Sequence, residues 1–335
     1  MALFPGPTTY APWAIATSNL VRKRQVRRVS TFHGPDRVIF RDSEGELHLL
    51  DDVCPHRGAR LSLGQVDAKT GCIVCPYHGW AFDGETGELD FVPTRPYSVP
   101  KCPPLQTYQI KEHGGFIWLV NEGNDPVPSE RAAELTDPNW RKVYGSTVVK
   151  GKWQDWILNA MDISHINTVH DFADETRGEV INMKITRPAA DEIQAEAGVH
   201  PKASSPVTLP AQVRICPVTS RFIMPATSYI RIALKAPLEF VTYTTQTPVD
   251  ENHSLMSWCF AWNFGAPLGV DSYLESKFKD EMLKTIEEDE RILGDLLPYN
   301  LNEVNVPADA FQLRGLAALD AFLKLDRITN RKFNH

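Results

Sequence analysis

The stretch Cys54–Trp80 decides the fold of the first part of the chain: CPHRGARLSLGQVDAKTGCIVCPYHGW. Its metal-ligating side chains come as C-x-H at the start and, eighteen residues later, as C-x-x-H near the end. Each of these Cys residues is followed by Pro, and a Gly stands close to each His. Zinc sites commonly pair like with like, as C-x-x-C followed by H-x-x-H. The alternating pattern therefore favours a centre that needs one thiolate and one imidazole from each loop, and zinc is the alternative.

The bulk composition is that of a globular chain in a reducing compartment. The 335 residues suggest roughly two domains of ~150 residues each. The net charge of −7 leaves no basic excess for neutralising phosphates, which argues against a nucleic-acid binder. No apolar run approaches the ~18 residues of a membrane helix, and no secretion signal is evident. The six Cys form no disulfide framework, so we expect a cytoplasmic protein, or an organellar one if a transit peptide was removed.

The pattern of apolar and turn residues predicts an α+β chain with domains at 1–123 and 124–335. The first part consists of short strands between turn residues, and the polar stretch NEGNDPVPSE follows it. The second part mixes both types of element. Helices are predicted near Trp153–His165, from about Ser272 to Leu297 and over roughly Asp309–Lys324, with strands at about 180–265.

One predicted strand is unusually aromatic. Trp258, Phe260 and Trp262 alternate along it and therefore share one face. An ordinary sheet core is one interpretation, and an apolar ligand cavity under the long helix is the other. The candidate pocket residues are Leu158, Ile166, Phe172, Trp258, Phe260 and Trp262.

The paired loops resemble the Rieske [2Fe–2S] signature, in which one iron takes two Cys and the other takes two His. This resemblance implies that Cys54 and Cys75 hold one iron, and that His56 and His78 hold the other. Cys72 also stands at a metal-binding spacing from Cys75. In an extended strand, however, these two positions point to opposite faces, so Cys72 is predicted to pack in the core.

A second group of candidate ligands lies in WQDWILNAMDISHINTVHD, residues 153–171. Asn159, Asp162 and His165 are spaced by three and would form one polar stripe on a helix. His170 follows five residues after His165, so both imidazoles reach one ion only if the helix bends or ends between them. The alternative is the polar face of a surface helix. Mixed with apolar neighbours, these polar groups would be costly to bury without a partner.

Two His ligands need one carboxylate to complete a 2-His-1-carboxylate iron site. On the predicted helix 272–297, Asp289 lies in the middle of an apolar stripe, whereas Glu287 and Glu288 point well away and Glu290 sits at the edge. An acid in a core-facing seam should be neutral, paired or metal-bound, so Asp289 is the predicted third ligand and Glu290 the second choice. The stripe consists of Phe278, Met282, Ile286, Leu293 and Leu296.

Over nearly its full length the chain resembles the Rieske non-haem iron oxygenases. The resemblance rests on CPHRGA, CPYHGW, N-x-x-D-x-x-H-x-x-x-x-H at 159–170 and the acidic segment Glu288–Leu293. Members without a β subunit, of the dicamba-demethylase-like and saxitoxin-hydroxylase-like types, are the most similar. The resemblance implies a Rieske β domain followed by a helix-grip (START/Bet v 1-like) catalytic domain. It also implies a mononuclear Fe(II) held by His165, His170 and Asp289.

The same resemblance implies partners and a reaction. Electrons from NAD(P)H would arrive through a reductase or ferredoxin, and O₂ would be used for hydroxylation, oxidative demethylation or dihydroxylation of a mostly apolar molecule. The family works as a head-to-tail homotrimer, in which Asp162 would accept hydrogen bonds from His165 and from the partner subunit's His78. Asn159 would lie beside the iron. Two other interpretations stay open, a Rieske electron carrier with a non-catalytic binding domain and a zinc-stabilised ligand-binding protein.

Overall fold

The computed structural model describes most of the chain in eight segments. They are residues 11–30, 36–120, 127–170, 179–200, 215–235, 237–264, 271–296 and 304–333. Two compact units part between Val127 and Pro128. The boundary predicted at residue 123 lies in 121–126, outside the described residues.

The unit Pro12–Val127 is built from short antiparallel strands. Its described strands are β1 (Trp13–Thr17), β2 (Val26–Val29), β3 (Arg37–Arg41), β4 (Leu47–Asp51), β5 (Gln65–Val66), β6 (Ile73–Val74), β7 (Ala81–Phe82), β8 (Leu89–Phe91), β9 (Ile110–His113) and β10 (Phe116–Leu119). They form sheets of order β1-β10-β9, β2-β3-β4 and β5-β6-β7-β8. The short strands predicted between turn residues are confirmed, for example by the antiparallel pairs β3–β4 and β7–β8.

The unit that begins at Pro128 carries one seven-stranded antiparallel sheet in the order β11-β17-β16-β15-β14-β13-β12. Its strands are β11 (Arg141–Lys150), β12 (Ile181–Ala189), β13 (Glu192–Val199), β14 (Cys216–Ile223), β15 (Thr227–Lys235), β16 (Leu238–Pro248) and β17 (His253–Trp262). The predicted strand region at about 180–265 is confirmed by β12–β17. Strand β17 lies between β11 and β16, so its alternating aromatic residues stand on a fully paired strand.

Four α-helices are described in this unit: α1 (Trp153–Met161), α2 (Ile166–Val169), α3 (Asp271–Leu293) and α4 (Ala310–Phe333). The helix predicted up to His165 is wrong in its extent, because α1 ends at Met161. At Asp162 the backbone is extended, and the carboxylate accepts a hydrogen bond from the Ser164 N–H, a local bond that competes with a further helical turn. Helix α3 is shorter than predicted and α4 is longer.

Helix α3 packs its apolar stripe on β11 and β17. Phe278, Met282, Ile286 and Leu293 share one buried core cluster with Met256 and Phe260. Leu296, predicted to belong to the stripe, is 54% exposed because α3 ends before it. None of the helices within the described part of the chain is long and apolar enough to cross a membrane.

Candidate metal centres

The two Cys–His loops of the first unit have the same main-chain conformation. The Gly58 N–H donates to the Cys54 carbonyl at 2.9 Å, and the Gly79 N–H donates to the Cys75 carbonyl at 3.0 Å. Both Gly residues close their loop in the left-handed region, with φ of +73° and +71°. This conformation explains why each loop needs Gly, since a side chain there would be strained. Each loop thus presents one Cys at its start and one His two or three residues later.

The ligand side chains of the two loops lie together. The imidazole rings of His56 and His78 are 4.6 Å apart between centroids, and Nδ1 of His56 is buried without a hydrogen-bond partner among the described residues. Burial raises the pKa of the Cys54 thiol to about 11, the His56 main-chain N–H opposes this, and the neighbouring Cys75 thiol adds to it. Two sulfurs and two imidazoles brought together on paired loops fit a Cys₂His₂ [2Fe–2S] cluster, in which the buried sulfurs would serve as ligands.

Two neighbours of these loops lie close to the paired ligands. Cys72 is buried with its Sγ 3.8 Å from Oδ2 of Asp90, in agreement with a packing role. The Trp80 ring stacks on His56 at 4.4 Å with 5° between the planes. Trp80 therefore limits the rotation of this imidazole.

In the second unit, His165, His170 and Asp289 converge on one point, with donor atoms all within 4.8 Å of one another. The Nε2 atoms of the two His residues are 3.3 Å apart. Oδ1 of Asp289 lies 3.7 Å from Nε2 of His165 and 3.4 Å from Nε2 of His170. Two ligands of one ion at bonds of ~2.1 Å and a right angle would be ~3 Å apart. The three side chains are therefore placed to hold one ion.

A break in the helix brings the two imidazoles together. His165 stands just before the four-residue helix α2, and His170 directly follows it. On a continuous helix, side chains five residues apart would diverge, because one turn contains 3.6 residues. The predicted requirement that the helix bend or end between the two His residues is met by the end of α2 at Val169, after which His170 has extended backbone.

Hydrogen bonds fix the orientation of both imidazoles. Nδ1–H of His165 donates to the main-chain carbonyl of Asp162 at 2.5 Å, and Nδ1–H of His170 donates to a carboxylate oxygen of Glu288 at 2.9 Å. Because these oxygens accept, each ring carries its proton on Nδ1 and directs the Nε2 lone pair at the shared point. Two lone pairs 3.3 Å apart repel each other unless a cation lies between them.

Asp289 supplies the negative charge of the centre. It is 9% exposed, and its Oδ1 has no hydrogen-bond partner among the described residues. Burial raises the pKa of Asp289 to about 6, while His165 and a hydrogen bond from Asn159 oppose this rise. Burial also lowers the pKa of His165 and favours the neutral ring that binds metal. A cation at this point would offset the cost of the buried carboxylate, so the residues fit a 2-His-1-carboxylate iron site.

Three details differ from the sequence predictions. The carboxylate of Asp162 does not accept from the His165 ring; its Oδ1 accepts from Ser164 and from the His165 main-chain N–H, and the ring uses the main-chain carbonyl instead. Glu290, the second choice, is not among the three converging side chains, and its Oε1 accepts the Lys150 N–H at 2.6 Å. Glu288, predicted to point well away, contacts His170 because its long side chain extends sideways from the seam.

We predict that Glu288→Ala weakens iron binding by about 10- to 100-fold, the loss typical when a partner of a metal-bound His is removed. His170 would keep its place but lose the acceptor that fixes its proton on Nδ1. The measurement is the iron retained by the purified chain after dialysis against a graded series of chelator concentrations.

The matched variants are Glu287→Ala, which removes an exposed acid next to Glu288, and Glu288→Gln, which keeps an accepting oxygen. Both are expected to retain iron far better than Glu288→Ala. Equal loss in the Ala variants at 287 and 288 would mean that general charge, rather than the contact with His170, sets the affinity.

A cavity of about 210 Å³ adjoins the iron-site residues. Helices α1–α3 and strands β13–β17 contribute its walls, and Asn159, Asp162 and the three candidate ligands are among the lining residues. No Lys or Arg is found among its described lining residues. Its apolar lining includes Trp156, Val218, Ile230, Ile232, Phe240, Met256, Phe278, Met282 and Ile286.

The predicted pocket residues are only partly in this lining. Ile166 and Phe260 line the cavity, whereas Phe172 lies outside the described residues. Trp258 does not line it, because its ring lies over Gly145 of β11, where an added Cβ would come within 2.2 Å of the ring. Trp262 packs against Phe278 at 4.9 Å instead. Leu158, the remaining candidate, lies beside α4, whose Gln312 donates to its main-chain carbonyl.

Comparisons with known families match both halves of the chain. Residues 12–109 match the Rieske [2Fe-2S] domain, and residues 149–325, more than half of the chain, match the vanillate O-demethylase oxygenase C-terminal domain. Among solved structures, dicamba monooxygenase bound to dicamba is 19% identical, with a TM-score of 0.77 over 97% of this chain and 100% of that one. NdmA of Pseudomonas putida CBB5 with caffeine is 20% identical, with a TM-score of 0.71 over 93% and 94%.

Curated relatives match over shorter regions. The 4beta-methylsterol monooxygenase of Methylococcus capsulatus is 41% identical over 165 residues, which are 46% of this chain and 42% of that protein. The 3-ketosteroid-9-alpha-monooxygenase oxygenase component of Mycolicibacterium smegmatis is 35% identical over 136 residues, 40% and 32% of the two chains. The phthalate 4,5-dioxygenase oxygenase subunit of Pseudomonas putida is 26% identical over 247 residues, 67% and 53%. This chain thus spans about half or less of the length of these relatives.

Proposed function

This chain belongs to the Rieske non-haem iron oxygenases, and we propose that it is the terminal oxygenase component of a system that hydroxylates or oxidatively demethylates a mostly apolar small molecule. Its electrons would come from NAD(P)H through a reductase, with or without a ferredoxin. The observation that carries the proposal is the set of two Nε2 lone pairs and one carboxylate oxygen at the wall of an apolar cavity. An electron carrier has no need of such a set.

Two groups of side chains hold the two metal centres in this function. Cys54 and Cys75 hold one iron of the cluster, and His56 and His78 hold the other. His165, His170 and Asp289 hold the mononuclear iron. When bound, the cluster supplies single electrons and the mononuclear iron supplies the open positions that dioxygen chemistry requires.

The protein's own residues place the substrate and limit the access of water. The apolar walls, to which Trp156, Ile166 and Met282 contribute, would bury a substrate in the cavity that the ligands also line. Asn159 hydrogen bonds Asp289 and so holds the carboxylate toward the imidazoles. The relatives whose names include sterol or ketosteroid support a polycyclic, weakly polar substrate for this chain as well.

Iron content and product analysis test the function together. We expect about three Fe per chain, two in the cluster and one mononuclear, against about two for an electron carrier. A reduced sample should show the rhombic signal of a Rieske cluster. With a surrogate reductase and NADH, apolar aromatic and polycyclic compounds should yield a hydroxylated product whose added oxygen comes from ¹⁸O₂. N- or O-methylated compounds should yield the demethylated product together with one formaldehyde. Two Fe per chain together with no product would refute the proposal.

We also propose a homotrimer in which the carboxylate of Asp162 accepts from the partner subunit's His78 and so links the two metal centres. Asp162→Asn is then expected to lower turnover by about 10- to 100-fold while iron content stays complete, since the negative charge that would accept from the partner subunit's His78 is lost. Product formed per NADH and iron per chain are measured on the same sample.

Ser164→Ala is the comparison for this variant, because Ser164 donates from Oγ to Oδ1 of Asp162 at 2.6 Å but leaves the carboxylate in place. If the charge matters, Ser164→Ala should stay within a few-fold of the parent. Unchanged product formation by Asp162→Asn with full iron would rule the link out.

A further inference from the structure

The sheet wall of the cavity carries a strip of polar side chains on three neighbouring strands. Ser228 and Thr244 satisfy each other across β15 and β16, with 2.6 Å between their hydroxyl oxygens. Oγ of Ser220 and Oε1 of Gln246, in contrast, are buried without a hydrogen-bond partner among the described residues. The strip consists of Ser220, Ser228, Thr242, Thr244 and Gln246, all of them cavity-lining.

The two unpartnered side chains are deeply buried, with Ser220 1% and Gln246 2% exposed. A buried polar atom without a partner is unfavourable, and native proteins satisfy the great majority of such groups. The sheet wall thus presents two polar atoms without a described partner to the space where a substrate would lie.

Strand register places Ser220 in a row across the sheet whose other end packs on α3 well before Asp289. In this row Ser220 of β14 pairs with Ile230 of β15, Ile230 pairs with Thr242 of β16, and Thr242 pairs with Phe260 of β17. The Phe260 ring stacks on Phe278 of α3 at 4.4 Å. Asp289 is eleven residues further along α3, or ~16 Å at 1.5 Å per residue. Gln246 pairs with Met256, four residues before Phe260 on β17. The Gln246 row is therefore closer than the Ser220 row to the end of the sheet where Lys150 N–H donates to Glu290.

The charges of the lining favour a neutral ligand. The ionisable groups among the described lining residues are Asp162, His165, His170, His200, Cys216, Glu281 and Asp289, of which Cys216 stays a neutral thiol because burial raises its pKa to about 11. Three of these are carboxylic acids, and no Lys or Arg stands among the described lining residues to pair with a ligand's carboxylate. A carboxylate-bearing ligand would lose its hydration here without gaining a cationic side chain, a cost that a hydroxyl or ketone avoids.

We infer that Ser220 is a specificity residue: the cavity takes an uncharged, largely apolar ring compound, and Ser220 hydrogen bonds a hydroxyl or carbonyl group at the end of that compound remote from the iron. A serine hydroxyl both donates and accepts, so it suits either group. The inference rests on the proposed function for its meaning in catalysis, but the binding it describes needs no turnover.

Binding is measured on the full chain with both metal centres loaded and no reductase, by equilibrium dialysis. The probes are naphthalene, 2-naphthol and 2-naphthoate, together with the corresponding hydrocarbon, alcohol and carboxylate on a phenanthrene frame. The alcohol is expected to bind about 3- to 10-fold more tightly than the hydrocarbon on at least one frame, the range for one hydrogen bond. The carboxylate should bind most weakly.

In Ser220→Ala the alcohol should lose its advantage while the affinity for the hydrocarbon stays the same. Ser146→Ala is the control, because Ser146 pairs with Ser257 in the same sheet and does not line the cavity; it should keep the advantage. Gln246→Leu tests the other unpartnered oxygen. An advantage that survives Ser220→Ala, or that disappears only in Gln246→Leu, would overturn the inference. So would equal binding of alcohol and hydrocarbon on both frames, or tight binding of a carboxylate. Iron content and product analysis judge the oxygenase function separately.

Discussion

Asp289→Ala is expected to remove about one of about three irons per chain and to lower O₂-dependent product formation to the detection limit. The carboxylate is the only acidic member of the candidate triad, and its Oδ1 lies 3.4 Å from Nε2 of His170. Without it, two neutral imidazoles remain, too few ligands for a stable Fe(II) site. The cluster should stay, with its rhombic signal unchanged. Iron analysis, spectroscopy of the reduced chain and product mass are measured on one preparation.

Asp280→Ala provides the control, since Asp280 is an exposed acid on the same helix. It should keep full iron and full activity. Burying the Asp289 carboxylate without a metal costs free energy of folding, and Asp289→Ala removes this cost. The metal-free variant is therefore expected to unfold at no lower temperature than the metal-free parent. A variant that keeps its third iron would show that Asp289 is not a ligand and would leave the centre without an assigned acid.

The Rieske loops were predictable because all their information is local. Both Cys–His pairs fall within Cys54–Trp80, and each loop closes through its own main-chain hydrogen bond to Gly58 or Gly79. Pro and Gly at these positions report the loop conformation directly in the sequence. The stacking of Trp80 on His56 was not visible there, since it depends on how one loop faces the other.

Asp289 was predictable for a different reason, the regularity of the helix. A period of 3.6 residues assigns every position a direction, so an acid within the apolar stripe stands out. The same argument misjudged Glu288, because direction from the helix axis says little about where a long side chain ends. The contact of Glu288 with His170 depends on a partner 118 residues away in sequence.

The sequence could not predict which atom of Asp162 meets His165. The spacing of three predicted one continuous helix through Asp162 and His165. The helix instead ends at Met161, because the Asp162 carboxylate accepts a local hydrogen bond from the Ser164 N–H. The main-chain carbonyl of Asp162 is thereby exposed to the ring, whereas the carboxylate is used elsewhere. In the cavity, alternation correctly gave Trp258 and Phe260 a common face. The Trp258 ring covers Gly145 of the neighbouring strand β11, whereas the Phe260 ring lines the cavity, and this difference depends on which residue of β11 lies opposite each ring.

Cys75→Ala is expected to abolish the Rieske signal and the red-brown colour, and with them all turnover. One iron would lose one of its two thiolates, and an Fe–S cluster depends on the complete set of protein ligands. Cys75 is 2% exposed in the same core cluster as Leu61 and Ile73, so the variant should also melt at a lower temperature as the cluster is lost. The measurements are the visible spectrum, the signal after reduction, iron per chain and thermal melting.

Cys72→Ala separates the loss of a ligand from the loss of a buried sulfur. Cys72 is 4% exposed, three residues from Cys75, and its Sγ contacts Asp90 at 3.8 Å. Both substitutions delete one sulfur from the interior of the same unit, and each leaves a similarly small cavity, worth about 1 kcal/mol. If only Cys75 is a ligand, Cys72→Ala keeps the colour, the signal and about three irons and shows only the small cavity cost. Loss of the signal in Cys72→Ala would make Cys72 a ligand, and survival of the signal in Cys75→Ala would remove Cys75 from the ligand set; either result would overturn the assignment.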